Sequence, residues 1–230
     1  MSEAAFFAAI RAQPEADAPR LVFADWLDEH GQPERAEFIR RHIAWECGAN
    51  DYANEERIYD LVEAGRAAWT QHLPQAPGVE WYFRRGLPEY LDIDADGLLA
   101  EFAHWTALPD VRYVGLGGCT FSTVSAFAAQ PWPARWIGLH LFEEPRPWLH
   151  SYPHEPARDL QALVQAPQAQ QLRELGIHYY SWSEAMIAVL CSAPHLRQIE
   201  RLYVGTQGET DARLSAHFGA RLRHGELGRV

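Results

Sequence analysis

Leu172-Arg173-Glu174-Leu175-Gly176-Ile177 is followed, 27 residues later, by Ile199-Glu200-Arg201-Leu202-Tyr203-Val204. Both put aliphatic side chains at their first, fourth and sixth positions. The alternation over the last four residues predicts a short strand with one aliphatic face. Val111, Val114 and Leu116 repeat the spacing further upstream. Similar β-type runs stand at Tyr90-Leu91-Asp92-Ile93 and Trp136-Ile137-Gly138-Leu139. Aligned on the first aliphatic of each run (positions 91, 114, 137, 175 and 202), they are separated by 23, 23, 38 and 27 residues. Amphipathic stretches lie between them, at 98–108, 124–128, 160–164, 186–190 and 214–218, and read as helices.

A strand and a helix recurring at this period predict parallel strands stacked side by side, with helices closing each repeat on the outside. The pattern resembles the leucine-rich repeat, whose consensus contains Leu-x-x-Leu-x-Leu. The fold expected is therefore α/β: an N-terminal helical module, residues 1–78, followed over 79–230 by a short, irregular leucine-rich-repeat-like solenoid with parallel strands and outer helices. The Asn/Cys position of that consensus is met by Cys119 alone, with Phe142, Tyr180 and Gln207 in its place elsewhere. The 38-residue interval predicts an inserted loop at about 143–156, rich in proline, histidine and tryptophan.

The N-terminal quarter has a different periodicity. Phe6, Phe7 and Ile10 form the stripe of a helix over residues 3–12. Asp17 and Pro19 open a second helix that Gly31 closes. Pro33 opens a third, carrying Phe38, Ile39 and Ile43, and Asp51 to His72 is a fourth. The strings Asp17-Ala18-Pro19-Arg20-Leu21-Val22-Phe23-Ala24-Asp25-Trp26-Leu27-Asp28-Glu29-His30-Gly31 and Arg35-Ala36-Glu37-Phe38-Ile39-Arg40 resemble the bacterial repeat-companion domain over residues 5 to about 45, with Phe23 where tyrosine is usual. The resemblance implies a module that precedes leucine-rich-type repeats, and no catalytic residue. The charges among these strings point to helix-locking ion pairs, Arg20 with Asp25 or Glu37.

The 230 residues carry 20 basic and 31 acidic side chains, a net charge of −11, and every basic residue is arginine. That balance argues against a nucleic-acid coat. The missing lysine removes Schiff-base and P-loop chemistry. Cys47, Cys119 and Cys191 have no zinc or disulfide spacing, and the start of the chain has no basic n-region, so a cytoplasmic location is expected. Asp92-Ile93-Asp94-Ala95-Asp96-Gly97 lacks the glutamate of a calcium loop. His150 and His154 are separated by Pro153, which weakens them as helical metal ligands. Neither a metal nor a cofactor is expected, and no catalytic residue is assigned.

Function is expected on the non-aliphatic strand face. There Gly115, Gly138 and Gly176 are expected to form a file, a trough either filled by the inserted loop or the N-terminal helices of the same chain or open to a ligand or to another chain. The partner-contacting residues are Tyr90, Asp92, Tyr113, Trp136, His140, Glu174, His178, Arg201 and Tyr203. The expected role is a non-enzymatic scaffold that binds a protein or peptide, with no nucleic acid and no membrane. The alternative is a metal-dependent enzyme, or an accessory subunit, using a histidine-lined trough.

Overall fold

The computed structural model describes residues 2–48, 51–142, 156–178, 182–204 and 212–224. Two compact units emerge, one of Met1–Pro77 with Trp81–Tyr90 and one of Gly78–Glu80 with Leu91–Gly228. The division expected at residue 78 is thus modified: Trp81–Tyr90 belongs with the N-terminal helices.

The N-terminal unit contains α1 (Glu3–Ala12), α2 (Ala18–Glu29), α3 (Pro33–Glu46) and α4 (Tyr52–Thr70). Their starts follow the expected signals: prolines occupy the first turns of α2 and α3, and the Asp51 side chain caps α4 by accepting from the Asn54 N–H at 2.8 Å. Asp17 stands at the N-cap of α2 without a capping bond; its carboxylate lies 3.2 Å from Arg85 instead. Phe6, Ile10, Phe23, Leu27, Ile39, Ile43 and Leu87 form one apolar cluster, and Phe38, Ile58, Leu61, Trp69 and Phe83 form another.

Strands β1 (Val79–Arg84) and β2 (Leu87–Asp94) are joined by Arg85-Gly86, whose φ angles are +47° and +79°. Two left-handed residues define the tight hairpin turn that suits strand twist. Gly86 is required twice over, because a Cβ there would also fall 2.5 Å from the Cα of Ile39.

The ion pairs among these helices differ from the expected ones. Arg20 pairs with Glu89 at 2.5 Å rather than with Asp25 or Glu37, and both partners are buried. Asp25 instead takes Arg40 at 2.6 Å, joining α2 to α3. Glu37 takes Arg57 at 2.6 Å and Arg41 at 2.6 Å, and hydrogen bonding by Arg57 above all holds its carboxyl down at about 2. Asp25 and Glu37 lie near Arg20 in the chain, whereas Glu89 is 69 positions away.

The second unit continues with α5 (Ala95–Ala100), α6 (Phe102–Thr106), β3 (Tyr113–Gly117), α7 (Phe121–Ala128), β4 (Gly138–Phe142), α8 (Pro156–Gln165), β5 (Glu174–His178), α9 (Glu184–Ser192), β6 (Arg201–Val204), α10 (Ala212–Phe218) and β7 (Leu222–His224). The sheet has seven strands in sequence order, and β3 through β7 pair in parallel. Strands β1 and β7 were not anticipated from sequence. Of the insertion expected at 143–156, only Pro156 lies within the described residues, where it opens α8. Asp92–Gly97 is a strand-to-helix turn in which the Asp94 side chain caps α5 through the N–H groups of Asp96 and Gly97.

On one sheet face Val114, Leu116, Leu139, Leu141, Leu175, Ile177, Leu202, Val204 and Leu222 are all buried. Helices α7 to α10 pack each against the next. Parallel strands need a crossover element between them, and here every crossover is helical.

Each rung is also tied to the one before it in a repeating way. The carbonyl of Arg112 accepts from the N–H groups of Ile137 and Gly138, that of Ile137 from Arg173 and Glu174, and that of Arg173 from Glu200 and Arg201. Four residues before Leu139, Leu175 and Leu202, which the strand register aligns on β4, β5 and β6, stand Arg135, Gln171 and Gln198. Each donates to main-chain carbonyls of the preceding segment: Arg135 to Thr106 and Leu108, Gln171 to Pro133 and Trp136, and Gln198 to Gln170. Side-chain braces of this kind fix each of these strands to the segment before it.

Two stability predictions follow from the N-terminal unit. Arg20→Ala removes the buried guanidinium that contacts the buried Glu89 carboxylate at 2.5 Å, so urea unfolding is expected to show a loss of about 3–5 kcal/mol. His42 is fully buried, and its Nδ1 accepts from the Gly86 N–H at 3.1 Å. Burial, above all, lowers its pKa from 6.5 to about 4. The unfolded chain therefore takes up a proton below pH 6.5 that the folded chain refuses until about pH 4. This contribution is complete above pH 6.5 and is lost as the pH falls to about 4, a change of about 3 kcal/mol. Urea midpoints between pH 7 and 4 should fall less steeply in His42→Gln than in wild type.

Candidate functional site on the sheet face

The register of the parallel strands pairs Val114 with Leu139, Leu139 with Leu175, and Leu175 with Leu202. Leu139, not Ile137, is therefore the aligned aliphatic of β4. Trp136 misleads the alignment because it takes the core position three residues before the strand aliphatic, as Val111, Leu172 and Ile199 do in the other rungs. A shift of two residues keeps every side chain on the same face but changes its neighbours.

One rung of the non-aliphatic face now reads Gly115, His140, Gly176, Tyr203, and the adjacent one Tyr113, Gly138, Glu174, Arg201. The three glycines do not form a file. They alternate with large side chains, which lie across them. A Cβ on Gly138 would stand 2.2 Å from the Tyr113 ring, and one on Gly176 would stand 2.0 Å from Nδ1 of His140. The expected trough is thus filled by the neighbouring strands themselves.

The nine expected contact residues separate accordingly. Tyr90 is buried in the N-terminal unit, edge-on to Tyr82 at 5.8 Å. Trp136 is buried in the core, near Phe102 at 5.9 Å and Phe127 at 6.4 Å. Tyr113, His140 and Glu174 lie on the strand face but are buried. Asp92, His178, Arg201 and Tyr203 are half-buried and reach the surface. Two further residues of this face escaped the sequence reading. Phe142 was assigned to a turn because of the misplaced register, and Arg223, exposed and paired with Tyr203, lies on the unrecognised β7. The helical pattern of Leu214 and Phe218 just before Leu222 is the signal that points to that last strand.

At the centre of the face is a chain of polar contacts. Glu174 Oε1 lies 2.9 Å from His140 Nε2, and Glu174 Oε2 lies 2.8 Å from Arg201 Nε. His140 Nδ1 lies 3.1 Å from His178 Nε2. Arg201 meets the carboxylate as an ion pair, and an ionised carboxylate can only accept, so the Nε2–H of His140 donates to it. His178 stacks on Phe142 with ring centres 4.4 Å apart and planes within 6°. Tyr203 approaches His140 at 5.5 Å. A carboxylate buried this deeply is tolerated because both its oxygens have partners.

The imidazoles meet head-on. Their centres are 5.4 Å apart with planes within 14°, and the 3.1 Å between the nitrogens leaves only the two ring radii. The ring nitrogens therefore point along one line at each other, the geometry of an N–H···N hydrogen bond. Tetrahedral zinc needs lone pairs that converge off that line. Among the described residues no three His, Cys, Asp or Glu side chains are grouped to hold a metal ion, and His150 and His154 lie outside them. Cys119 is buried, its Sγ is 3.2 Å from the Leu116 carbonyl, and burial pushes its thiol up to about 12, which makes it inert at neutral pH. The Tyr180 and Gln207 positions of the consensus ladder lie outside the described residues.

No protein-family model matches the chain, and neither the curated proteins nor the solved structures yield a match. Among the described residues no helix is long and apolar enough to cross a membrane.

The interlocked glycines make a steric prediction. Gly176→Ala must displace the His140 ring from its place beside Glu174, and overpacking of this kind destabilises by about 1–3 kcal/mol. Gly117→Ala is the control, since its Cβ would come no closer than 4.0 Å to any neighbour. Thermal melts should separate the two variants clearly; equal midpoints would contradict the register.

Proposed function

We propose that the chain is a non-enzymatic recognition scaffold: a repeat-companion-like helical module followed by a leucine-rich-repeat-like solenoid that binds a protein or peptide on its non-aliphatic strand face. One observation carries this reading. On β3 to β6 that face presents Tyr113, Gly115, Gly117, Gly138, His140, Phe142, Glu174, Gly176, His178, Arg201 and Tyr203, without one aliphatic side chain. Parallel sheets covered on both faces are aliphatic on both. A face built from aromatic, charged and small residues has the composition of recognition surfaces, where tyrosine and arginine are favoured.

His178, Arg201 and Tyr203 are the direct contacts, with Asp92 as a further charge selector. His140 and Glu174 support them from behind: Glu174 fixes Arg201, and His140 fixes His178. Pre-organisation of this kind strengthens binding by reducing the ordering lost on association. The intermediate depth of these side chains suits the extended segment of a partner laid across the rungs. A cytoplasmic setting belongs to the same reading, since the spacing of Cys47, Cys119 and Cys191 is not that of a disulfide framework.

Photo-crosslinking tests the assignment. A benzophenone amino acid at position 203 or 178 is expected to form one discrete adduct with a native partner. The same group at Gln161, exposed on α8, is expected to form none. Equal adducts from position 161 would remove the strand face as the recognition surface. Trp136→Ala is unsuitable as a probe, because emptying that core position costs about 3–5 kcal/mol and confuses binding with folding.

A further inference from the structure

We propose that His140 and His178 form a single proton-binding site, able to take up one proton between them and not two, so that the strand face changes by one unit of charge. Four ring nitrogens are involved, and His140 Nε2 carries a hydrogen donated to Glu174 at 2.9 Å. The 3.1 Å line between His140 Nδ1 and His178 Nε2 holds one hydrogen, because two N–H groups cannot face each other at that distance. In the neutral pair that hydrogen is already present. One added proton occupies His178 Nδ1, and the hydrogen on the line then sits nearer either ring. A second would force N–H against H–N and break the contact. The pair titrates as one unit.

The surroundings give the added charge a place. From β5, Glu174 attracts it. From β6, Arg201 opposes it, although Arg201 is itself ion-paired to Glu174 at 2.8 Å. Tyr203 of β6 faces His140, and Arg223 of β7 stands beyond it, exposed. Strand β3 contributes Tyr113, and β4 contributes no charged group besides His140. With Asp92 and Asp94 of β2, these are the titratable and charged groups on the strands' shared face among the described residues. Phe142 presents its ring to His178 at 4.4 Å, a face that favours a cation. Since Glu174 and Arg201 offset each other, the proton appears as a net positive charge on a face of a chain whose balance is −11. Where this face binds a carboxylate-bearing segment, capture strengthens as the pair loads. That last step rests on the recognition reading; the proton count does not.

Two-bond ¹⁵N–¹H spectra of histidine-labelled full-length protein, taken from pH 8.5 to 5, test the count. The signals of His140 and His178 are expected to move together at one midpoint, with a combined change equal to one imidazolium. In His140→Gln, His178 should reach the full imidazolium position alone and at a different midpoint. His178→Gln, at a half-exposed site, supplies the reciprocal test if the buried substitution does not fold: there His140 should titrate with full amplitude at a shifted midpoint. Two complete imidazolium shifts in the wild type, or midpoints that ignore removal of the other ring, overturn the proposal. Loss of crosslinking at position 203 with this titration intact would discard the partner and keep the proton site; the reverse result would do the opposite.

Discussion

The second unit depends on a steric rule at the centre of its sheet: where β3 and β4 place the rings of Tyr113 and His140 on the non-aliphatic face, the next strand places a glycine. Tyr113 lies across Gly138 and His140 across Gly176, at distances no Cβ could occupy. The rule works as a register lock. Sliding β5 by two residues against β4 would keep the aliphatic face intact, because leucine would still meet leucine or isoleucine. The same slide would drive His140 against Glu174 or His178. Aliphatic packing selects the face, and the ring-on-glycine contacts select the rung.

The buried polar groups follow from that lock. Once His140 lies flat over Gly176, its Nε2 reaches Glu174 and its Nδ1 reaches His178, two residues apart on β5. Arg201, paired across from Glu174, takes the other oxygen. A carboxylate, two imidazoles and a guanidinium are thus held together by pairing positions on three strands, with no loop needed to aim them. Buried polar chains of this type specify one arrangement at the expense of raw stability. The N-terminal unit uses the same device in the Arg20–Glu89 pair, which ties α2 to β2.

How much of this was legible beforehand can be argued from particular residues. The four N-terminal helices announced themselves because Pro19, Gly31, Pro33 and Asp51 are local signals, and helix ends are local events. Parallel strands with intervening helices were legible from the recurrence of Leu-x-x-Leu-x-Leu. The register of β4 was not, since Ile137 and Leu139 both satisfy an aliphatic template and only the pairing of His140 with Gly176 distinguishes them. That single ambiguity turned a set of interlocking rings into an imagined open channel. Residues far apart in the chain were least legible of all: nothing near Arg20 points to Glu89, and β7 is too short to show a period. His140, Glu174 and His178 were each picked out by strand position among nine contact residues, but their burial, their grouping and their order of contact required the true neighbours.

The braces from Arg135, Gln171 and Gln198 bear on how such a chain can diversify. Each clamps the start of a strand to main-chain carbonyls of the preceding segment, so the placement of a rung is decided over a few residues just upstream of it. The chain length that precedes those residues is left unconstrained: 36 residues separate Leu139 from Leu175, against 27 from Leu175 to Leu202, and the pairing is equally regular on both sides. The segments between helix and strand can therefore be lengthened, shortened or exchanged like cassettes while the sheet stays in step, which lets new surface chemistry be grafted beside an unaltered backbone.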